Sequence, residues 1–217
     1  DLFLTTKERE VINAAIALSG KAFPKDLPQN NGLVIGELEA INLAAYLDLI
    51  RVSEPLDFFW KLEDLQIEQV SFKDIALQNV TANGKLGGPV SKVEIQSQLV
   101  DGAIEIEKVG NINIDLDRLD LSIFGVTSFT ETSTGKFVKD YLSELPNMIV
   151  SVDRLSFDEQ ELGAVSFVLR GENSNLEFYP FSFDLKGIVS EEAYMRWDLT
   201  KNDTKFNGSL FIEELDR

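Results

Sequence analysis

A chain of 217 residues is long enough to bury a core, as one large domain or two small ones. Its 44% hydrophobic and 26% charged residues are those of a folded protein, and 37 acidic against 20 basic residues leave a formal charge of −17. Such a surface repels phosphate backbones and anionic headgroups, so nucleic acid is a poor partner, whereas a partner reached through apolar contacts stays open.

Cysteine and histidine are both absent. That removes disulfides, thiolate chemistry, the commonest general base and most zinc sites before any motif is sought. The chain begins at Asp1 without a basic leader or an apolar run, and no stretch approaches the roughly 18–20 apolar residues of a spanning helix. The expectation is a piece of something longer.

The first segment, TTKEREVINAAIALSG, fits either a helix start or a strand leading to the loop PKDLPQNNG. INLAAYLDLIRV (41–52) has Leu43, Leu47, Leu49 and Ile50 near helical spacing, with Asn42 as its N-cap, and predicts a short helix. LQIEQVSFKDIALQNVTA (65–82) predicts two strands around a polar turn. In SKVEIQSQLVDGAIEIEKVG (91–110) the spacing predicts strands from Val93 to Val100 and from Ala103 to Lys108, with Asp101-Gly102 as the hairpin turn. GNINIDLDRLDLSIFG (110–125) alternates Ile112, Ile114 and Leu116 with Asn111, Asn113, Asp115 and Asp117, a half-buried strand with one wet side. GKFVKDYLSELP (135–146) predicts a second short helix, near 136–145, stopped by Pro146. The C-terminal stretches NLEFYPFSFDLKG, AYMRWDLT and KFNGSLFIEEL read as antiparallel strands joined at VSEE and KNDT.

VDRLSF (152–157) breaks strand parity: Val152 and Leu155 are apolar but three apart, so a flat strand would point them to opposite sides. The same slip recurs in LEAINL (38–43), LEDLQI (62–67), IEQVSF (67–72) and LDRLDL (116–121). One reading is a β-bulge at each slip, bending a long sheet around an apolar interior. The other is a set of strand ends or crossovers in an ordinary sandwich. Residues 65–82 also align without a gap on 150–167, a period of 85 (150 − 65), which points to duplicated hairpins.

Chemistry is sparse. TSTGKF (132–137) ends like a phosphate loop, but Thr130 stands where the first Gly is needed and Phe137 where Ser or Thr is needed. DLDRLD (115–120) lacks the Gly and distal Glu of a calcium loop, and nothing singles out a carboxylate pair for glycoside hydrolysis. The expectation is therefore no enzyme, no metal and no cofactor. Aromatics gather in the second half at Phe157, Phe167, Phe178, Phe181, Phe183, Trp197, Phe206 and Phe211. They are core residues by default, and an apolar trough for acyl chains if they line a groove. The groove candidates are Phe72, Leu155, Phe157, Phe167, Phe178, Phe183, Trp197 and Phe206.

Residues 145–215 resemble the AsmA-like region of YhdP-type proteins through Leu145-Pro146, Leu155, Leu162-Gly163, Val165, Trp197, Thr204, Phe206, Gly208 and Leu210. GLVIGELEAINLAAYLDLI (32–50) and the strand pair ending in LDRLDL resemble the same family upstream, with Tyr46 standing where the family has Trp. The resemblance implies a mainly β fold, a long curved antiparallel sheet forming an open groove, with the two short helices. Residues 1–217 would be one groove segment of two repeats, about 33–125 and 126–217. It further implies a Gram-negative envelope protein in the periplasm, anchored in the inner membrane outside this segment. Its partners would be phospholipid acyl chains, the rest of the same longer chain and an envelope protein. A structural module pairing through sheet edges is the alternative.

Overall fold

The computed structural model describes residues 2–7, 10–22, 31–42, 59–72, 75–107, 110–124, 147–158, 160–172, 175–198, 200–201 and 203–212. They are nearly all strand, with one short 3-10 turn at Leu121–Phe124. The chain divides into two compact units, Asp1–Lys108 and Val109–Arg217.

In the first unit the strands are β1 (Leu2–Lys7), β2 (Glu10–Ala17), β3 (Asn31–Asn42), β4 (Phe59–Phe72), β5 (Ile75–Leu86), β6 (Val90–Gln96) and β7 (Val100–Glu107). They are neighbours in sequence order, so the ambiguous N-terminal stretch is a strand pair. The second unit holds β8 (Ile112–Asp120), β9 (Met148–Phe157), β10 (Gln160–Glu172), β11 (Asn175–Leu185), β12 (Ile188–Asp198), β13 (Asp203–Asn207) and β14 (Phe211–Ile212). Again each strand pairs with the next, except that β14 returns to pair with β12 beside β13.

Most pairs are antiparallel, as the hairpin signals require. Three are parallel: β2 with β3, β3 with β4, and β8 with β9. A parallel pair needs a connection of a dozen or more residues, and 43–58 separate β3 from β4 in the sequence as 121–147 separate β8 from β9.

Three expectations change in detail. The predicted turn at Asp101-Gly102 lies inside β7, with Gly102 opposite Ile95; the chain turns instead at Ser97, whose N–H donates to Val100 O at 2.8 Å and whose Oγ accepts from Val100 N at 3.0 Å. A serine that satisfies both backbone ends of a turn outcompetes Asp-Gly here. The predicted turn at VSEE lies inside β12, and the chain reverses at Lys186-Gly187, both in the left-handed region. Of the predicted helix 41–52, Ile41 and Asn42 are the end of β3, where Ile41 pairs with Val70 in a strand register rather than entering a helix. The rest of that segment, with Tyr46, lies outside the described residues, as does the whole of 136–145 and the TSTGKF loop.

The duplicated hairpin is present. β4 ends at Phe72 and β5 starts at Ile75, while β9 ends at Phe157 and β10 starts at Gln160, one 85-residue period later. Each hairpin follows a strand parallel to its first arm, β3 in one unit and β8 in the other.

Candidate functional site: the apolar sheet face

Parity slips decide what each face carries. In β8 and β9, Leu116 pairs with Val152 and Leu119 with Leu155, so Asp117-Arg118 and Asp153-Arg154 occupy the same step of adjacent strands. Asp117, Asp153 and Arg154 are exposed, and Arg154 Nε donates to the Asp117 carbonyl at 3.3 Å. The apolar residues on either side therefore stay on one face while Asp117, Asp153 and Arg154 turn out to water. β10 answers with Gly163, at φ 132, where the register against β9 shifts. β11 slips between Phe178 and Phe181, and β12 between Ser190 and Ala193, where Glu192 has φ 53.

The first unit does the same. Leu38 pairs with Ile67 and Ile41 with Val70, while Val80 and Leu77 complete the row from β5. These residues pack with the buried cluster of Leu62, Leu65, Ile67, Val80 and Ala82. A second slip at Leu62/Leu65 puts Asp64 at φ 45, and its N–H is taken up by Asn83 Oδ1 at 2.8 Å. A bulge leaves a strand N–H without its ladder partner, and the asparagine supplies one.

Following partners strand by strand in the second unit gives a continuous row. Val150 faces Phe167, which faces Phe181, which faces Ala193. One step away, Met148, Leu169, Phe178, Met195 and Phe206 are successive partners, and Leu176 faces Trp197. Leu169 and Leu176 are the buried floor, with Met148, Phe167, Phe178 and Trp197 packed against them. The rings form a ladder: Phe167 lies 5.4 Å from Phe178 and 6.1 Å from Phe181, and Phe181 lies 5.4 Å from Phe183. Offset and edge contacts of this kind add about 0.5–1.5 kcal/mol each beyond area burial.

The sequence-predicted groove residues fall as follows. Leu155 and Phe157 sit on β9, Phe167 on β10, Phe178 and Phe183 on β11, Trp197 on β12 and Phe206 on β13. Phe167, Phe178 and Trp197 meet around Leu169 and Leu176; Phe183 joins through Phe181; Phe206 stands at the margin, 42% exposed. Phe72 ends β4, and its side chain lies outside the described residues. Phe181 belongs at the centre of the ladder and was missing from the groove candidates. Its signal is the same slip, with Tyr179-Pro180 between Phe178 and Phe181.

The opposite face is polar. Tyr194 Oη donates to Glu177 Oε1 at 2.9 Å, and burial, then that hydrogen bond, raises the tyrosine above its ordinary value. At the β12–β13 turn the N–H of Lys201, then its side chain and Thr200 N–H, hold the Asp198 carboxyl below the usual range. Asp120, 6% exposed at the end of β8, accepts from Ser156 Oγ at 2.8 Å and from the N–H groups of Ser122 and Asp158. It fastens three chain segments together rather than opening to a cleft. Asp115 and Asp117 are exposed strand residues, and among the described residues no group of three or more acidic side chains is placed to hold a metal.

The second unit is thus a bulged β-sheet with one apolar, aromatic face and one polar face. The chain belongs to the YhdP protein family, whose family model matches residues 3–217. That family is one of envelope proteins. No curated protein and no solved structure matches the chain. Among the described residues no helix is long and apolar enough to cross a membrane.

Proposed function

We propose that this chain is a non-enzymatic segment of a periplasmic bridge-like phospholipid transporter between inner and outer membranes, in a longer protein anchored in the inner membrane. Acyl chains lie against the apolar face of the second unit and move along it without covalent chemistry. The observation that carries this reading is the shared face itself: partners from β8 to β13 keep their apolar side chains on one side through every parity slip. A core needs only apolar residues, whereas a surface for a flexible chain needs them contiguous and reachable, and Phe167, Phe178, Phe181 and Phe183 are all only half buried. Each CH₂ buried there would be worth about 0.8 kcal/mol, so one acyl tail across a few strands suffices for binding. YhdP membership supports the same envelope setting.

The test is native mass spectrometry of the purified chain with lipid extraction. Co-purifying phospholipid that disappears in Phe183→Asp, with the β circular-dichroism signal intact, is the expected result. A lipid-free mass with no uptake from added phospholipid would overturn it.

One observation favours a second reading, an assembly module joined through its edges to an envelope protein or to more of the same chain. β14 is only Phe211 and Ile212, 58% and 67% exposed, and Leu210 just before it is 56% exposed. An exposed apolar edge invites another strand. Edge pairing without bound lipid would decide for that reading.

A further inference from the structure

We propose, resting on the acyl-binding role given above, that Met148 and Met195 are an oxidation-sensitive pair within that face. Conversion of their thioethers to sulfoxides by a peroxide turns acyl-chain binding off, and reduction turns it back on.

The sequence has two methionines and no cysteine, so these two thioethers are the only sulfur in the 217 residues. Both fall in one row of the apolar face, where Met148 of β9, Leu169 of β10, Phe178 of β11 and Met195 of β12 are successive register partners. Met148 packs against the buried floor of Leu169 and Leu176, and Met195 stands between Phe178 and Phe206 at the margin. Three strand spacings, about 14 Å, separate the two. An acyl chain lying across these strands passes both.

A methionine sealed in a core is shielded from oxidants in solution. Met148 and Met195 are only half buried, so a small peroxide reaches them from the open side of the face. The step is a two-electron oxygen transfer. A sulfur lone pair attacks one peroxide oxygen, and the S–O bond forms as the O–O bond breaks. The departing hydroxide takes the proton from the new S–OH group and leaves as water, so sulfur is oxidised and peroxide reduced.

The product replaces a pliable apolar thioether with a polar S=O acceptor. The side chains of Leu169, Phe178 and Phe206, its register partners, offer no donor, so the sulfoxide oxygen is satisfied by water alone. Covering it with an acyl chain strips that water without replacing it, and binding about tenfold weaker is expected once both sulfurs are oxidised.

The experiment loads the 217-residue chain with phosphatidylethanolamine and treats it with hydrogen peroxide. Native mass spectrometry counts bound lipid, and peptide mapping locates sulfoxide. Lipid occupancy should fall as sulfoxide accumulates at Met148 and Met195, with the β circular-dichroism signal intact. It should recover when methionine sulfoxide reductases specific for each epimer are added. In M148L/M195L the occupancy after peroxide, divided by that before, should stay near unity; if that variant binds no lipid, recovery with the reductases decides. Full oxidation with unchanged occupancy overturns the inference and leaves the acyl face standing. So do thioethers that stay reduced while free methionine in the same tube is oxidised, loss of the β signal together with lipid, a loss the reductases do not restore, or an equal loss in the double variant. Absence of bound lipid before peroxide removes the function itself, and the inference with it.

Discussion

Phe167 of β10 and Phe178 of β11 meet edge to face with ring centroids 5.4 Å apart, although they are not register partners. Phe167 pairs with Phe181 and Phe178 with Leu169, and the step between the two pairs is a parity slip in β11. Tyr179 and Pro180 together stand against the single residue Val168, one extra position, which leaves Phe178 and Phe181 on one side. The ladder of rings is thus a product of the bulge, and without the slip Phe181 would point to the polar face.

Truncating either ring should cost less than the roughly 3–5 kcal/mol of a fully buried phenylalanine, because both are half exposed; about 1–3 kcal/mol is expected. The double variant F167A/F178A should show coupling of about 0.5–1.5 kcal/mol in urea denaturation. Strictly additive losses would mean that the rings do not support each other.

Gly163 has φ 132, and a Cβ there would run into the Asp184 carbonyl of the neighbouring strand. Gly163→Ala should therefore destabilise by at least about 1–3 kcal/mol, since both the backbone conformation and the close approach exclude a side chain. Gly20→Ala is the control for the φ effect alone, at φ 72 with open space around it, and should cost less. Equal losses would remove the argument for a bulge packed against β11.

Asp120 is a fastener. Asp120→Ala leaves the Ser122 and Asp158 N–H groups and the Ser156 hydroxyl without this acceptor. A loss of about 1–3 kcal/mol is expected, and hydrogen exchange should accelerate at Ser122 and Asp158 before it does along β11. Uniform acceleration would indicate that Asp120 acts on the whole unit.

The Asp198 turn is pH dependent with a defined sign. Its carboxyl is depressed first by the Lys201 N–H, so the stabilisation is present above the ordinary aspartate range and fades as pH falls through the lowered value. Amide exchange of Thr200 and Lys201 should rise at acid pH in the parent. In Asp198→Asn, which keeps an acceptor oxygen, that acid dependence should vanish. An unchanged pH profile in the variant would place the titration elsewhere.

Much of this was legible beforehand, for a physical reason. The apolar–x–x–apolar slips at Leu116, Val152, Leu62 and Ile67 are visible because a sheet face tolerates no polar residue where a neighbour strand presents an apolar one. The hairpins at 65–82 and 150–167 were legible because their turns are polar and short. Direction of pairing was not, since Leu38 or Leu116 shows the same alternation beside a parallel or an antiparallel neighbour. Turn positions failed where two turn signals lay close together and the other one won, Ser97 over Asp101-Gly102 and Lys186-Gly187 over the VSEE stretch. Strict alternation from Phe178 assigns both Phe181 and Phe183 to the other face; Phe183 was among the candidates and Phe181 was not, and only the slip puts both with Phe178.

The most direct test of the central claim uses Trp197, which faces Leu176 on the apolar side, as a reporter. The chain has two tryptophans, so Trp60→Phe leaves Trp197 as the single emitter. Phospholipid brominated in mid-chain should quench Trp197 fluorescence, and unbrominated lipid of the same headgroup should not. A tryptophan placed on the polar face at Tyr194, in a W60F/W197F background, should stay bright. Quenching at Tyr194→Trp equal to that at Trp197, or none at Trp197 with lipid bound, would contradict an acyl-binding face.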